Sequence, residues 1–210
     1  MGRTLDLGRR LELVSMDPLC HDIAIALYQQ QPGGVSEYLI HSYSSLAGVR
    51  ERVEFLTRAL EVLAGLEPGK AGLRFPCGAP HQAAIRRGFL EACKLETGAA
   101  LQPRPLMARD KKLERTVTVT SLGAGLYGVS VEGPQESSAA RVDLITGGFK
   151  KLAELEFIAG EPHRVVFPCG RPHDALMGLL LPRALNARAA LREEEMAASR
   201  GMLVAPSAQK

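Results

Sequence analysis

A chain of 210 residues that is 46% hydrophobic and 23% charged has the make-up of a globular protein, one large domain or two small ones, and excludes wholesale disorder. A net charge of +3 supplies no electrostatic reason to expect nucleic acid or an anionic membrane surface. Aromatic residues are scarce at 5% and Trp is absent, so the core is expected from Leu, Val, Ile and Ala.

Residues 1–10 alternate charged and apolar side chains with no continuous apolar run, so no export signal is expected there. Four cysteines in a chain of this size then read as reduced thiols in a cytoplasm rather than a disulfide framework. The first predicted elements are strands over 22–28 and 37–43, separated by the turn sequence Gln31-Pro32-Gly33-Gly34. Cys20-His21-Asp22, just ahead of them, has no counterpart later and reads as local packing rather than a triad. His41-Ser42-Tyr43-Ser44-Ser45 closes the second strand; Ser44 or Ser45 suits a helix N-cap, and His41 could line a small-ligand pocket.

Leu46, Val49, Val53, Leu56, Leu60 and Leu63 step by three and four, the stripe of a helix that Gly65 and Pro68 should end. A short strand over 73–75 then runs into Pro76-Cys77-Gly78-Ala79-Pro80-His81. A second helix is expected from Pro80, because proline suits the first helical position; Ile85, Phe89 and Cys93 share its inner face. Residues 99–114 read as a linker or edge strand. Arg104, Arg109, Lys111, Lys112 and Arg115 make this the most basic stretch, but Asp110 and Glu114 interrupt it without interleaved aromatics, so a solvated linker is expected rather than a nucleic-acid footprint.

The order then recurs. Strands over 115–121 and 126–131 flank Gly123-Ala124-Gly125; Thr116, Thr118 and Thr120 alternate with Val117 and Val119, the period of a half-buried strand. The glycines resemble a piece of a dinucleotide loop, but such a loop precedes a helix and this one precedes a strand. A helix follows with the stripe Ile145, Phe149, Leu152, Leu155 and Ile158, shorter than the first and weakened at its start by Gly147 and Gly148. A strand over 164–167 leads into Pro168-Cys169-Gly170-Arg171-Pro172-His173 and a last helix. Its apolar run, 175–181, is too short to span a bilayer, and Pro182 should kink or restart it. Glu193-Glu194-Glu195 reads as a solvated face, and 201–210 as a flexible tail.

The fold class is therefore α/β: two tandem ββαβα units, 1–98 and 115–200, related by internal duplication, with helices packed on a mixed sheet. The recurring Phe-Pro-Cys-Gly-x-Pro-His corner carries the chemistry. A thiol beside a helix N-terminus and an imidazole could be a nucleophile, with Cys77 or Cys169 attacking and His81 or His173 as base. If a pseudo-twofold axis joins the corners, Cys77, His81, Cys169 and His173 form a normal zinc set. The corner is also a sound strand-to-helix turn with no chemistry, although such a turn needs the Gly and Pro and not both Cys and His. The overall expectation is a pseudo-symmetric binding or assembly protein, with zinc, a small ligand or a protein as partner and no membrane; the alternative is a thiol-dependent enzyme.

Overall fold

The computed structural model describes residues 10–29, 35–111 and 114–187. The chain first lays down β1 (Arg10–Met16), β2 (Ile23–Gln29), β3 (Ser36–Ser42), α1 (Ala47–Ala64), β4 (Glu67–Pro68), β5 (Leu73–Arg74) and α2 (Gln82–Cys93). It then repeats that order as β6 (Met107–Asp110), β7 (Arg115–Gly123), β8 (Leu126–Val131), α3 (Gln135–Ala153), β9 (Glu156–Ile158), β10 (Glu161–Val166) and α4 (Asp174–Leu185). Two separate five-stranded sheets result, ordered β1-β2-β3-β5-β4 and β6-β7-β8-β10-β9. The matching pair of sheet–helix units is what a duplication would give.

The sheets are antiparallel throughout rather than mixed. Each unit also holds an edge strand on either side of the expected core strands. Within the 99–114 segment Met107–Asp110 form β6 at one such edge, as the edge-strand alternative has it, with Asp110 buried against Arg141 and Arg104 3.6 Å from Glu91. Leu155 and Ile158 leave the predicted helix stripe, because α3 stops at a left-handed Glu154 and Ile158 belongs to β9. Both residues fit a helical spacing, but Leu155 falls in the two-residue break after α3 and Ile158 in the sheet.

Helix α1 buries Val49, Leu56, Leu60 and Leu63 of the expected stripe, with Val53 half-buried and Phe55 buried beside it, while Leu46 is the exposed N-cap residue outside the stripe. Ser44 caps less directly than expected: its Oγ accepts the Leu46 N–H at 3.3 Å, and no side chain caps the helix proper. Gly65 ends α1 in the left-handed conformation that glycine adopts without strain. Helix α4 continues through Pro182 to Leu185 instead of restarting there. Burial of Leu179, Leu180, Leu181 and Ala184 holds the helix together against the roughly 3 kcal/mol that an internal proline costs. The charged stretch 188–200, the tail and the 31–34 turn lie outside the described residues.

The helix α3, at 19 residues, is not shorter than the 18-residue α1. Its Gly148 serves close approach: a Cβ there would meet the Ala184 carbonyl oxygen at 2.9 Å. Alanine would gain about 1 kcal/mol in helix propensity, but overpacking against backbone costs about 1–3 kcal/mol. Gly148→Ala should therefore lower the thermal midpoint, and a midpoint equal to or above the parent's would refute this packing account.

The helices join the units. α1 contacts α2 and α4, and α2 contacts α3 and α4, so buried apolar residues of both halves make one core. Each unit carries the same staple. Arg52 reaches Asp17 and the Cys93 and Leu95 carbonyls; Arg141 reaches Asp110 and the Leu185 carbonyl. Both tie the end of the second helix to the first strand region. On the facing helices α2 and α4, Glu91 pairs with Arg183, 92 residues later, the interval that also separates Cys77 from Cys169 and His81 from His173. Positions 92 residues apart thus meet each other where α2 packs on α4.

Candidate metal centre

Each Cys-His corner is built by local rules. Phe75-Pro76-Cys77-Gly78 is a β-turn closed by the Gly78 N–H donating to the Phe75 carbonyl at 2.9 Å; Phe167-Pro168-Cys169-Gly170 repeats it at 2.9 Å. Proline at the second turn position and glycine at the fourth are the residues this turn favours. The helix then starts two residues later than Pro80 or Pro172 suggests. His81 and His173 are the N-cap residues of α2 and α4, not members of the first turn. Each ring lies by its own cysteine, with Nε2 3.2 Å from Sγ in both corners.

The helix packing brings the two corners to one place. One donor atom from each of Cys77, His81, Cys169 and His173 lies within 4.8 Å of the others, the sole group of this kind among the described residues. Zinc–sulfur bonds of ~2.3 Å and zinc–nitrogen bonds of ~2.0–2.1 Å in a tetrahedron set the donors about 3.3–3.8 Å apart. The observed Sγ–Nε2 distances of 3.2 Å are slightly shorter than that range, and a separation of 4.8 Å would have to contract by at least about 1 Å. The imidazole planes cross with centroids 4.7 Å apart, and Phe75 and Phe167 sit edge-on to both rings at 4.7–5.3 Å. These fully buried phenyl groups exclude water from the inner side. The rings are buried as well, with His81 8% and His173 6% exposed, whereas both cysteines are half-buried at the outer side.

Burial and electrostatics favour neutral groups here. Burial pushes His81 down, and burial with the neighbouring His81 pushes His173 down to about 4, a shift toward the neutral imidazole that a metal ligand needs. Burial, reinforced by nearby Cys169, pushes the Cys77 thiol up. That direction opposes the thiolate a nucleophile needs in the absence of a metal, and no imidazolium is present to reverse it.

Residues that the motif did not reveal hold the corners. The Tyr38 hydroxyl accepts the His81 N–H at 3.1 Å, and the Tyr127 hydroxyl accepts the His173 N–H at 2.6 Å while donating to Asp174 Oδ1 at 2.7 Å. Both tyrosines lie in predicted strands at matching places before the corners, a signal visible only once the units are aligned. Gly125 also presses on a corner: its carbonyl accepts the Phe167 N–H, and a Cβ there would meet the Arg171 oxygen at 2.8 Å. The hairpin reading of 123–125 therefore stands, with a buttressing role in place of phosphate binding. Tyr127→Phe strands a buried N–H, so a loss of about 1–3 kcal/mol in stability is expected. An accompanying loss in metal affinity of about 10–100-fold is the usual cost of removing an outer partner. Thermal melting and competition with a chromogenic chelator check both, and unchanged affinity would show the tyrosine has no bearing on the site.

The remaining candidates stay outside the cluster. His21 and Asp22 are exposed, while Cys20 donates its N–H to Asp17 in a local turn. His41 stacks edge-on with Tyr43, and Cys93 is fully buried in the core. Comparison with protein-family models, with curated proteins and with solved structures gave no match. No helix among the described residues is long and apolar enough to cross a membrane.

Proposed function

We propose that the protein is a binding or assembly protein whose two units are clamped by one zinc ion held by Cys77, His81, Cys169 and His173. The observation that carries this reading is the convergence of two thiol–imidazole pairs, one from each unit, on a single point. Two sulfurs and two nitrogens with soft-to-borderline character suit zinc, and a tetrahedron filled by protein ligands leaves no position for water or substrate. That closed set favours a structural role over metal-assisted catalysis. A thiol enzyme needs only one corner and a lowered thiol pKa, whereas both corners are kept, face each other, and Cys77 is shifted upward. The four cysteines are free, which suits a reducing cytoplasm.

Metal analysis of protein purified without chelator should give one zinc per chain. Cobalt substituted for zinc should show the intense visible bands of a tetrahedral thiolate site. A chain that binds neither ion at neutral pH would rule the clamp out; a Cys77 or Cys169 thiol with fast alkylation at low pH would support the enzymatic reading instead.

A further inference from the structure

The zinc donors differ in access. The imidazoles are buried against Phe75 and Phe167, while both cysteines are half-buried, and the two cysteines come from different units. We propose that Cys77 and Cys169 are a reversible redox pair, oxidised by hydrogen peroxide to a disulfide that releases the zinc; this rests on the zinc reading above.

The sulfurs lie at most 4.8 Å apart, and a disulfide requires about 2.05 Å. Each cysteine sits inside a β-turn, ahead of a left-handed glycine (φ +74° at Gly78, +67° at Gly170), outside any helix or strand. Such a turn can give the needed movement without breaking a ladder. The chemistry balances. One thiolate attacks the peroxide O–O bond, forming a sulfenic acid and releasing hydroxide. The second thiolate attacks that sulfur, forming the S–S bond and releasing another hydroxide. The two sulfurs lose two electrons in total, the peroxide gains them, and two protons from solvent complete two waters. His81 and His173 remain as two neutral ligands, too few to retain the ion, so Zn2+ leaves. Buried Cys93 is shielded from the same oxidant, and a dithiol reductant with added zinc reverses the sequence.

The test uses the full chain, first reduced and loaded with zinc. Failure to bind zinc at this stage refutes the clamp before any oxidant is added. Hydrogen peroxide is then supplied with a chromogenic zinc chelator, and non-reducing peptide mass spectrometry follows. The expected result is one zinc released for each Cys77–Cys169 disulfide formed, with recovery after dithiothreitol and zinc. Cys20→Ser, which removes the other half-buried thiol, should release zinc like the parent. The metal-free parent should form the same Cys77–Cys169 bond. Zinc that stays bound, or leaves with sulfinic acids, a Cys20-linked bond or no disulfide, overturns the redox proposal while leaving the clamp intact.

Discussion

His173→Ala should weaken zinc binding by more than the roughly 10–100-fold that loss of an outer-shell partner costs, because it deletes a ligand itself. With zinc at about a thousandfold excess over the parent's dissociation constant, binding stabilises the folded state by about 4 kcal/mol. A chain of this size shifts by about 2–4 °C per kcal/mol, so chelation should lower the parent's midpoint by about 10 °C. The variant should show little of that difference. Comparing the zinc-dependent shift, rather than the midpoint itself, separates ligand loss from the cavity that removing a buried ring leaves. His81→Ala should behave alike, since each unit supplies one sulfur and one nitrogen at matching places. A variant with the parent's full zinc-dependent shift would exclude that histidine as a ligand.

Glu91→Leu should cost about 3–5 kcal/mol, the usual penalty for breaking a buried ion pair by removing one member. Glu91 and Arg183 are each 8% exposed at the side chain where α2 meets α4. Lys94, 2.8 Å away, and Arg104 add positive charge from the rim. Removing the carboxylate leaves Arg183 facing two other cations in a poorly solvated seam. Replacing both residues, as Glu91→Leu with Arg183→Leu, should recover most of the loss, because apolar groups of similar size need no desolvation. Arg183→Leu alone completes the cycle, and single-variant losses that add up to the loss of the double variant would show that the pair is not coupled.

The same residue gives a pH signature. Burial alone would raise the Glu91 carboxyl, but hydrogen bonds and charge from Lys94 and Arg183 outweigh it and hold it below the usual carboxylate range. The folded-state pKa is therefore the lower one, and the folded state binds fewer protons than the unfolded state. Its contribution is complete above the unfolded carboxylate pKa, about 4.3, and disappears as pH falls through the lower folded value. Melting curves between neutral and acid pH should show this loss in the parent and a smaller one in Glu91→Leu with Arg183→Leu.

Much of the architecture follows from local sequence. The alternation of Thr116 to Thr120 with Val117 and Val119, the turn glycines, and the stripe of α1 each depend on neighbours within a few residues, so β7, its hairpin and α1 were legible directly. The Phe-Pro-Cys-Gly corner is also local: proline and glycine determine the turn, and repetition of the motif marks the four donors. Edge strands were less legible. β1 exposes Leu11 and Leu13, so its pattern is not that of a half-buried strand, and β4 and β9 hold only two and three residues.

Tertiary structure alone decided that the corners meet. Nothing within either motif specifies its distance from the other, because that distance is set by α2 packing on α4, by Glu91 facing Arg183, and by the shared apolar core. Nor could spacing reveal that Tyr38 and Tyr127 brace the histidine backbones, since those bonds span 43 and 46 residues. Short-range stereochemistry determined each half of the site; long-range burial of apolar surface brought the halves together, with a donor atom of each of the four residues within 4.8 Å of the others.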